Sequence, residues 1–389
     1  MAFPQHDLNY YFDTAHELAE RVAENADQID NDRQFPTALT DEMADKGFFR
    51  LLLPKSLGGA QLDHPDFVKI LEIFAAVDGS TGWCINQNNV FSINSLRMPK
   101  GIADEIYADG RAVVTNGPPA SSARAIPCDR GYKLSGRWNF SSGITHATWI
   151  AALAPILPEG QQPEAAFNRE SGRVMLIPKS DVKFVDFWPV QGLRGTASFS
   201  FEVDDMFIPE ERTYSPTNKP REDGPAYGIP ITLLFASGFS TVALGIAKAS
   251  LATAMELAEV KIPGRAFRLL QDEPTTQRII GETEAVWHSA KAFLREAHAS
   301  VWESAESGTP LTTEQRVKLR LAATFGIRKA KEIVDTAYEL CGSNAILDTN
   351  PIQRRFQDIH VVSQHIQGRA THFETAGQFF MGMDPQGNF

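Results

Sequence analysis

Three histidines lie near the C-terminal end of the chain, in a stretch without acidic residues. They are His360, His365 and His372, and no Asp or Glu occurs from Ile359 to Phe373. An imidazole can donate or accept a proton near neutral pH. On a helix, however, a spacing of five turns His360 about 140 degrees away from His365, and the H-x-x-x-H spacing that aligns two imidazoles on a metal is absent. Spacing alone therefore predicts structural histidines and no metal site.

A second group of candidate residues closes an apolar β run in the segment GRWNFSSG. Trp138 and Phe140 are expected to alternate on one face of the strand, and Ser141, Ser142 and Gly143 follow them. A serine here either bonds to its own backbone in a turn or presents a short hydroxyl to a ligand. Trp138 is predicted to lie in the core, whereas Phe140 either fills the β domain or forms a wall of a binding site.

Two glycine-containing loops carry arginines that are candidates for ligand contacts. GLRGTASFSF, residues 192–201, has Arg194 and the hydroxyl of Thr196 just before a strand. GRAFRLLQDEPTTQ, residues 264–277, has Arg265, Phe267 and Arg268. Guanidinium groups pair well with phosphate oxygens. The alternatives are a β-turn with a surface arginine in the first loop and a charged connection between helices in the second.

Asparagines are concentrated in the run CINQNNVFSIN, which contains Asn88, Asn89 and Phe91 but no histidine. Their amides could bind a polar heteroatom of a substrate. They could equally cap a helix or face solvent.

Composition limits the classes of partner. The chain has 389 residues, 48 acidic against 37 basic side chains, and a net charge of −11, which disfavours nucleic acid and anionic membranes. No secretory signal is visible, and no run is expected to reach the roughly 18 apolar residues of a membrane span, so the expected location is the cytoplasm. Cys84, Cys128 and Cys341 lie far apart and are predicted to be buried, reduced thiols.

Periodicity predicts helices, then strands, then helices. The predicted domains are a helical domain at 1–111, a central β domain at 112–218 and a C-terminal helical domain at 219–389, with a Pro-rich linker at about 215–225. The long C-terminal helices are predicted at 231–261, 274–308, 313–340 and 351 to about 381. The third should begin with a capping box of Thr312 and Gln315. This order argues against a Rossmann-type sheet.

Four segments in order resemble the acyl-CoA dehydrogenase superfamily. They are LLLPKSLGGAQLDHPDFVKILEIFAAVDGSTGW, GYKLSGRWNFSSGITHATWI, VQGLRGTASFSFEVDDMFIPEE and ELCGSNAILDTNPIQRRFQDIHVVSQH. The resemblance implies a mainly α fold with an N-terminal helical domain, a β-barrel-like middle domain and a C-terminal four-helix bundle. It also implies a homotetramer with flavin sites shared between subunits.

Within this superfamily, GRWNFSSG and NPIQRRFQD with a later histidine resemble the two-component flavin monooxygenases. The dehydrogenase pattern ends in a catalytic Glu, but counting from Asp358 puts Ile366 at that position and His365 just before it. The other stretch in which dehydrogenases carry this Glu, from Gly224 to Met255, also contains no acid. Removal of a proton from carbon needs a carboxylate base. The resemblance therefore implies oxygenase chemistry in place of dehydrogenation.

The resemblance assigns roles to the candidate residues. Ser142 is implied to lie near flavin N5, and His365 is implied to face the peroxide of a C4a-hydroperoxyflavin. Other flavin contacts are implied at Phe140, Ser141, Gly143, Arg194 and Thr196, and at Arg265, Phe267 and Arg268 toward a neighbouring subunit. Asn88, Asn89 and Phe91 are the substrate-side candidates.

The expected activity is that of an oxygenase component. It takes reduced flavin, FMNH2 in preference to FADH2, from a separate NAD(P)H:flavin reductase. With O2 it oxygenates an aromatic or heteroatom-containing small molecule. One alternative is an acyl-CoA dehydrogenase whose base is Glu374, Glu282 or Glu284. The other is a non-catalytic scaffold of the same fold.

Overall fold

The computed structural model describes residues 6–157, 172–186, 188–264, 266–387 and 389. These residues form two compact units. The first comprises the described parts of Met1–Asp63, Cys84–Pro189 and Arg194–Asp223, and the second comprises His64–Trp83, Val190–Leu193 and the described parts of Gly224–Phe389. The predicted helix–β–helix order and fold class are confirmed. The division into domains 1–111, 112–218 and 219–389 stays a prediction.

The described part of the first unit contains helices and eight strands. Its helices are α1 (Leu8–Asp32), α2 (Thr37–Asp45) and α5 (Lys100–Tyr107), together with the part of α4 (Gly79–Ser92) from Cys84 onward. Its strands are β1 (Val114–Asn116), β2 (Arg124–Cys128), β3 (Gly131–Trp138), β4 (Trp149–Pro155), β5 (Gly172–Pro178), β6 (Lys183–Val185), β7 (Ser200–Pro209) and β8 (Thr213–Tyr214). The strands β1 and β8 were not predicted, since two or three residues are too few to show an alternating pattern.

The strands form two four-stranded sheets, ordered β1-β4-β5-β8 and β2-β3-β7-β6. The β1–β4 pair is parallel, and the other pairs are antiparallel. Trp138 of β3 is fully buried, stacks on Phe201 with ring centroids 4.9 Å apart, and donates from Nε1 to the carbonyl of Leu153 in the other sheet at 2.9 Å. The predicted core position of Trp138 is confirmed.

The second unit is a helical bundle. It contains α3 (His64–Val77), the first part of α4, α6 (Pro225–Gly228), α7 (Ile231–Val260), α8 (Pro274–Glu306), α9 (Thr313–Cys341), α10 (Pro351–Gln364) and α11 (Thr371–Phe380). The helix α7 packs against α3, α8, α9 and α10. Two glycines permit its closest approaches: a Cβ on Gly245 would lie 2.6 Å from the Ala75 Cβ, and one on Gly326 of α9 would lie 2.2 Å from the Ser240 Oγ.

Three sequence predictions need correction. By length and composition α7 could span a membrane, contrary to the expectation that no run comes near this, but 78% of its most apolar window is buried, so it is the central helix of the bundle. The single helix predicted from residue 351 to about 381 is two helices, because α10 ends at Gln364 and α11 starts at Thr371. Cys84 and Cys341 are buried, but Cys128 is exposed at the end of β2.

Candidate functional site

The chain leaves strand β3 at Trp138 and turns sharply. Phe140 has a left-handed φ of 58° and is 55% exposed, so it does not continue the strand face that Trp138 occupies. Its ring meets Trp188 edge to face, with centroids 5.9 Å apart. The predicted alternation of Trp138 and Phe140 is therefore wrong. The exposure leaves the Phe140 ring available to a ligand.

Ser142 belongs to a chain of three hydroxyls. Its Oγ lies 2.7 Å from the Ser198 Oγ, which lies 2.7 Å from the Thr196 Oγ1. The backbone also joins the two segments, because Gly143 donates its N–H to the Thr196 carbonyl at 2.8 Å. The structure thus brings together Ser142 and Thr196, which come from separate sequence motifs.

Ser141 has a buried hydroxyl that is not satisfied within the described part of the chain. The residue is fully buried and its N–H donates to the Phe199 carbonyl at 3.1 Å, but no partner for the Oγ is present among the described residues. A buried hydroxyl without a partner costs about 1–3 kcal/mol. Beside the Ser142 chain and the exposed Phe140 ring, an orphan hydroxyl fits a planar ligand whose edge carries donors and acceptors, as a flavin does.

Asn88 supports this turn from α4. Its Oδ1 lies 2.9 Å from the Nε2 of His146, whose ring stacks between Phe35 and Phe49. Gly143 sits tightly against this pair, since a Cβ there would lie 2.7 Å from the His146 Nε2, and its φ of 78° also favours glycine. Burial, followed by the charge of Lys179, lowers the pKa of His146 to about 3. His146 is therefore a neutral supporting residue, and the sequence analysis did not single it out.

Asn89 cannot serve as predicted. Its Oδ1 accepts from the N–H of Leu51 at 2.7 Å, and its Nδ2 donates to the carbonyls of Phe48 and Ile85 at 2.8 and 2.9 Å. The amide is thus used up in joining α4 to the chain after α2, and we exclude it from the substrate contacts. Phe91 is buried on the same helix, and Asn88 is committed to His146 through its oxygen.

A cavity of about 360 Å³ opens in the first unit beside His146. Its lining includes Phe35, Phe49, Arg111 and Lys179, and it includes none of the predicted flavin contacts. Lys179 donates to the Thr145 carbonyl at 2.6 Å, and burial lowers the pKa of this lysine. We do not assign the cavity to the flavin, because neither the orphan hydroxyl of Ser141 nor the Ser142 chain lies in its wall.

The second unit holds His365 at the break between α10 and α11. Its φ of −65° and ψ of 152° end the helix, and its imidazole meets Trp83 and Phe239 edge to face, at centroid distances of 4.9 and 4.8 Å. Burial, with the charges of Arg369 and Arg320, lowers its pKa to about 4, so the ring is neutral at pH 7. Its Nδ1 lies 3.5 Å from the Gln367 N, a long contact that favours the tautomer with the proton on Nε2.

The other two histidines of this stretch have structural partners. The Nε2 of His360 lies 2.9 Å from the Asp335 Oδ1, and the Nε2 of His372 lies 2.9 Å from the Ile366 carbonyl oxygen. Within the described ranges, no cluster of three or more His, Cys, Asp or Glu side chains could hold a metal ion.

The remaining predicted arginines have acidic neighbours. The Nε of Arg194 lies 3.3 Å from the Asp30 carboxylate, which ties the GLRGT loop to α1. Arg268 makes a bidentate pair with Glu273 at 2.7 and 2.9 Å. Phe267, which directly precedes Arg268, is fully exposed. Arg265 lies outside the described residues, so its predicted phosphate contact stays a prediction.

None of the carboxylates offered as an alternative base is set up for proton abstraction. Glu282 makes a bidentate pair with Arg278 at 2.8 Å on the surface of α8, Glu284 pairs with Lys248 at 2.5 Å, and Glu374 is exposed. A base for carbon acids must be free to take a proton from the substrate, and two of these carboxylates are engaged by cationic side chains.

Known proteins resemble this chain along nearly its whole length. It is 28% identical over 358 residues to the indole-3-acetate monooxygenase of Pseudomonas putida, covering 92% of this chain and 90% of that protein. It is 26% identical over 361 residues to the flavin-dependent monooxygenase oxygenase subunit HsaA of Mycobacterium tuberculosis, covering 90% and 89%. The crystal structure of XiaF from a Streptomyces species, in complex with FADH2 and glycerol, superposes with a TM-score of 0.88 at 23% identity, covering 97% and 98%, and this likeness shows the fold.

Two family models match this chain. The model of the acyl-CoA dehydrogenase N-terminal domain matches residues 7–98, and the model of the C-terminal domain matches residues 237–369. Together they cover more than half of the chain, in the family order. The fold and site thus define an acyl-CoA dehydrogenase-like protein. The chain belongs to the acyl-CoA dehydrogenase superfamily, as its sequence motifs predicted.

Proposed function

We propose that this protein is the oxygenase component of a two-component flavin-dependent monooxygenase. Reduced flavin supplies two electrons when bound, so that O2 gives one oxygen atom to the substrate and one to water. The observation that carries the proposal is the position of His365 against Trp83 and Phe239, with its Nδ1 facing the Gln367 N–H, in a stretch that has no carboxylate. The imidazole can donate a hydrogen bond to oxygen but cannot act as the carboxylate base of a dehydrogenase.

Different residues of the chain would hold the flavin, donate to oxygen and support these groups. Ser141 and Ser142 offer hydroxyls to the polar edge of the flavin, and Phe140 covers its ring. On the second unit, His365 would offer an Nε2–H donor to oxygen beside the rings of Trp83 and Phe239. Thr196 and Ser198 orient the Ser142 hydroxyl, and Asn88 with His146 holds Gly143 in place.

The substrate and partners follow from the relatives. Indole-3-acetate monooxygenase and a resorcinol hydroxylase oxygenase component that uses FADH2 are among them. We propose an aromatic or heteroatom-containing small molecule as substrate, FMNH2 or FADH2 as the reductant, and a separate NAD(P)H:flavin reductase as its source. We further propose a homotetramer, in which Arg265, Phe267 and Arg268 face a neighbouring subunit, and a cytoplasmic location.

The first experiment tests binding and turnover together. The purified protein is mixed anaerobically with FMNH2 or FADH2, and flavin fluorescence gives the two dissociation constants. Then ¹⁸O2 and indole, phenol and thioether compounds are added. The expected result is a product that carries one ¹⁸O atom, with water as the second product. Reduction of bound oxidised flavin by an acyl-CoA without a reductase would support a dehydrogenase, and failure to bind reduced flavin would support a scaffold.

His365 can then be examined separately. In His365→Ala we expect the yield of oxygenated product per reduced flavin to fall roughly 10²-fold, as for loss of one oriented donor, with the electrons appearing in H2O2. His365→Gln keeps an amide donor and should retain part of the yield. An exposed histidine, His288→Gln, is the matched control. Unchanged product yield in His365→Ala would show that His365 has no role in the reaction.

A further inference from the structure

At the break between α10 and α11, side chains donate to three backbone carbonyls, one of which, that of Ile366, also accepts from the Arg369 N–H at 3.3 Å. The Ile366 carbonyl lies 2.9 Å from the His372 Nε2, the Gln367 carbonyl accepts from the Thr324 Oγ1 at 3.1 Å, and the Gly368 carbonyl accepts from the Arg328 Nε at 2.7 Å. Orphan carbonyls at a helix end must be satisfied in this way or by water. Three successive carbonyls are therefore held by side chains.

Two of these donors, with a third residue, form one row on α9. Arg320, Thr324 and Arg328 are spaced by four residues and thus lie along one face of the helix. Arg320 is buried and donates to the Gln367 side-chain oxygen and, at 3.3 Å, to the Thr232 carbonyl. Within the described residues it has no carboxylate partner, so its main polar contact is the loop. We call these three residues the α9 clamp.

The clamp acts on His365 through Gln367. Its donors hold both the side chain and the carbonyl of Gln367, and the Gln367 N–H donates to the His365 Nδ1 at 3.5 Å. Gly368 packs closely against α9, since a Cβ on Gly368 would lie 3.0 Å from the Ile327 Cγ2. The loop therefore has little freedom to turn. A shift of Gln367 would release the Nδ1 bond and allow either ring nitrogen to carry the proton.

We propose that Arg320, Thr324 and Arg328 are positioning residues that fix His365 as the Nε2–H tautomer, aimed for hydrogen-bond donation. The proposal rests on the function proposed above, in which His365 donates to oxygen. The buried arginine gives the loop a rigid attachment with a formal positive charge beside the histidine. That charge adds to the effects of burial and of Arg369, which keep the ring neutral, and the clamp's own contribution is the direction of the ring.

The test uses nearly isosteric changes and readouts on the flavin-free protein. Thr324→Val removes one hydroxyl donor, and Arg328→Met removes another from a partly exposed position. Thr336→Val is the control, because Thr336 lies on the same helix and bonds only the Glu332 carbonyl. Hydrogen exchange of the amides of His365 and Gly368 should become roughly tenfold faster in the two clamp variants and not in the control. Nitrogen NMR of histidine-labelled protein should show His365 as a single Nε2–H tautomer in the wild type. In the variants, His365 should be a mixture of both tautomers.

Product yield adds a third readout. In the flavin-loaded enzyme the clamp variants should give several-fold less product per reduced flavin with an unchanged flavin dissociation constant, and Arg328→Lys should recover part of the loss. If wild-type protein makes no product, the proposed function fails, while exchange and NMR still decide on the clamp. Unchanged exchange and tautomer in both Thr324→Val and Arg328→Met, each with a native circular dichroism spectrum, would overturn the proposal.

Discussion

A pair of buried histidines in the second unit shows how strongly burial controls charge in this protein. The Nδ1 of His64 lies 2.9 Å from the Nε2 of His298, and both side chains are buried between α3 and α8. Burial lowers the pKa of His298 to about 4, and burial together with the neighbouring His298 lowers the pKa of His64 well below its usual value. One proton lies between the two nitrogens, and the lowered pKa values keep both rings neutral at pH 7.

This pair predicts loss of stability in mild acid. The folded-state pKa of His298 is lower than its unfolded value of 6.5, so its contribution is complete above pH 6.5 and is lost as the pH falls toward 4. The loss can reach on the order of 3 kcal/mol. The free energy of unfolding, measured with urea at pH 7 and pH 5, should change less with pH in His298→Leu than in wild type. His288→Gln, at an exposed site on α8, should keep the wild-type dependence, and equal slopes in all three proteins would contradict the prediction.

Single residues differ in how far their sequence reveals their role. Ser142 and Thr196 were predicted as flavin contacts from the superfamily resemblance, because a hydroxyl beside a turn is otherwise expected to bond to its own backbone. Their common hydroxyl chain could not be predicted, because it joins segments far apart in sequence. Arg320 and Thr324 were missed for another reason. Polar residues within a helix ordinarily indicate its solvent face, and only the structure shows that these two are buried and satisfy a distant loop.

At the scale of elements, local signals located most helices, and tertiary contacts decided where one of them breaks. The capping box at Thr312 and Gln315 is present as predicted. The break at His365 has no proline, and Gly368 alone did not locate it. The carbonyl donors on α9 make the interruption favourable, and they are invisible in the sequence of α10 and α11.

The capping box gives a prediction about helix stability. The Thr312 Oγ1 accepts from the Gln315 N–H at 3.1 Å, and the Gln315 side chain accepts from the Thr312 N–H at 3.0 Å. Thr312→Ala should lower the free energy of unfolding by about 1 kcal/mol, as is typical for loss of an N-cap. Thr336→Ala, inside the same helix, should be neutral or slightly stabilising. Urea midpoints measure both changes, and an equal effect of the two would show that the cap does not stabilise α9.

At the scale of the whole molecule, one end of the helical bundle exposes apolar side chains. Val260 ends α7, Ile262 and Phe267 lie in the loop that follows, and Ile346 and Leu347 follow α9. Lys261 joins the two regions by donating to the Cys341 carbonyl at 2.7 Å. A cluster of this kind at one end of a monomer indicates a contact with another protein. A second copy of the chain is the partner that the superfamily resemblance implies.

The proposed homotetramer makes Phe267 a residue to test. Its ring is fully exposed in one copy, and burial of a phenyl ring against a neighbour contributes about 2 kcal/mol, or a roughly 30-fold change in a dissociation constant. We expect wild-type protein to sediment as a tetramer and Phe267→Ser to dissociate at concentrations where the wild type does not. Phe207→Ser, which changes an exposed phenylalanine of β7 in the first unit, should leave the sedimentation coefficient unchanged. If Phe207→Ser dissociates and Phe267→Ser does not, the loop after α7 is free of intersubunit contact, and the neighbouring-subunit roles of Arg265 and Arg268 must be abandoned with it.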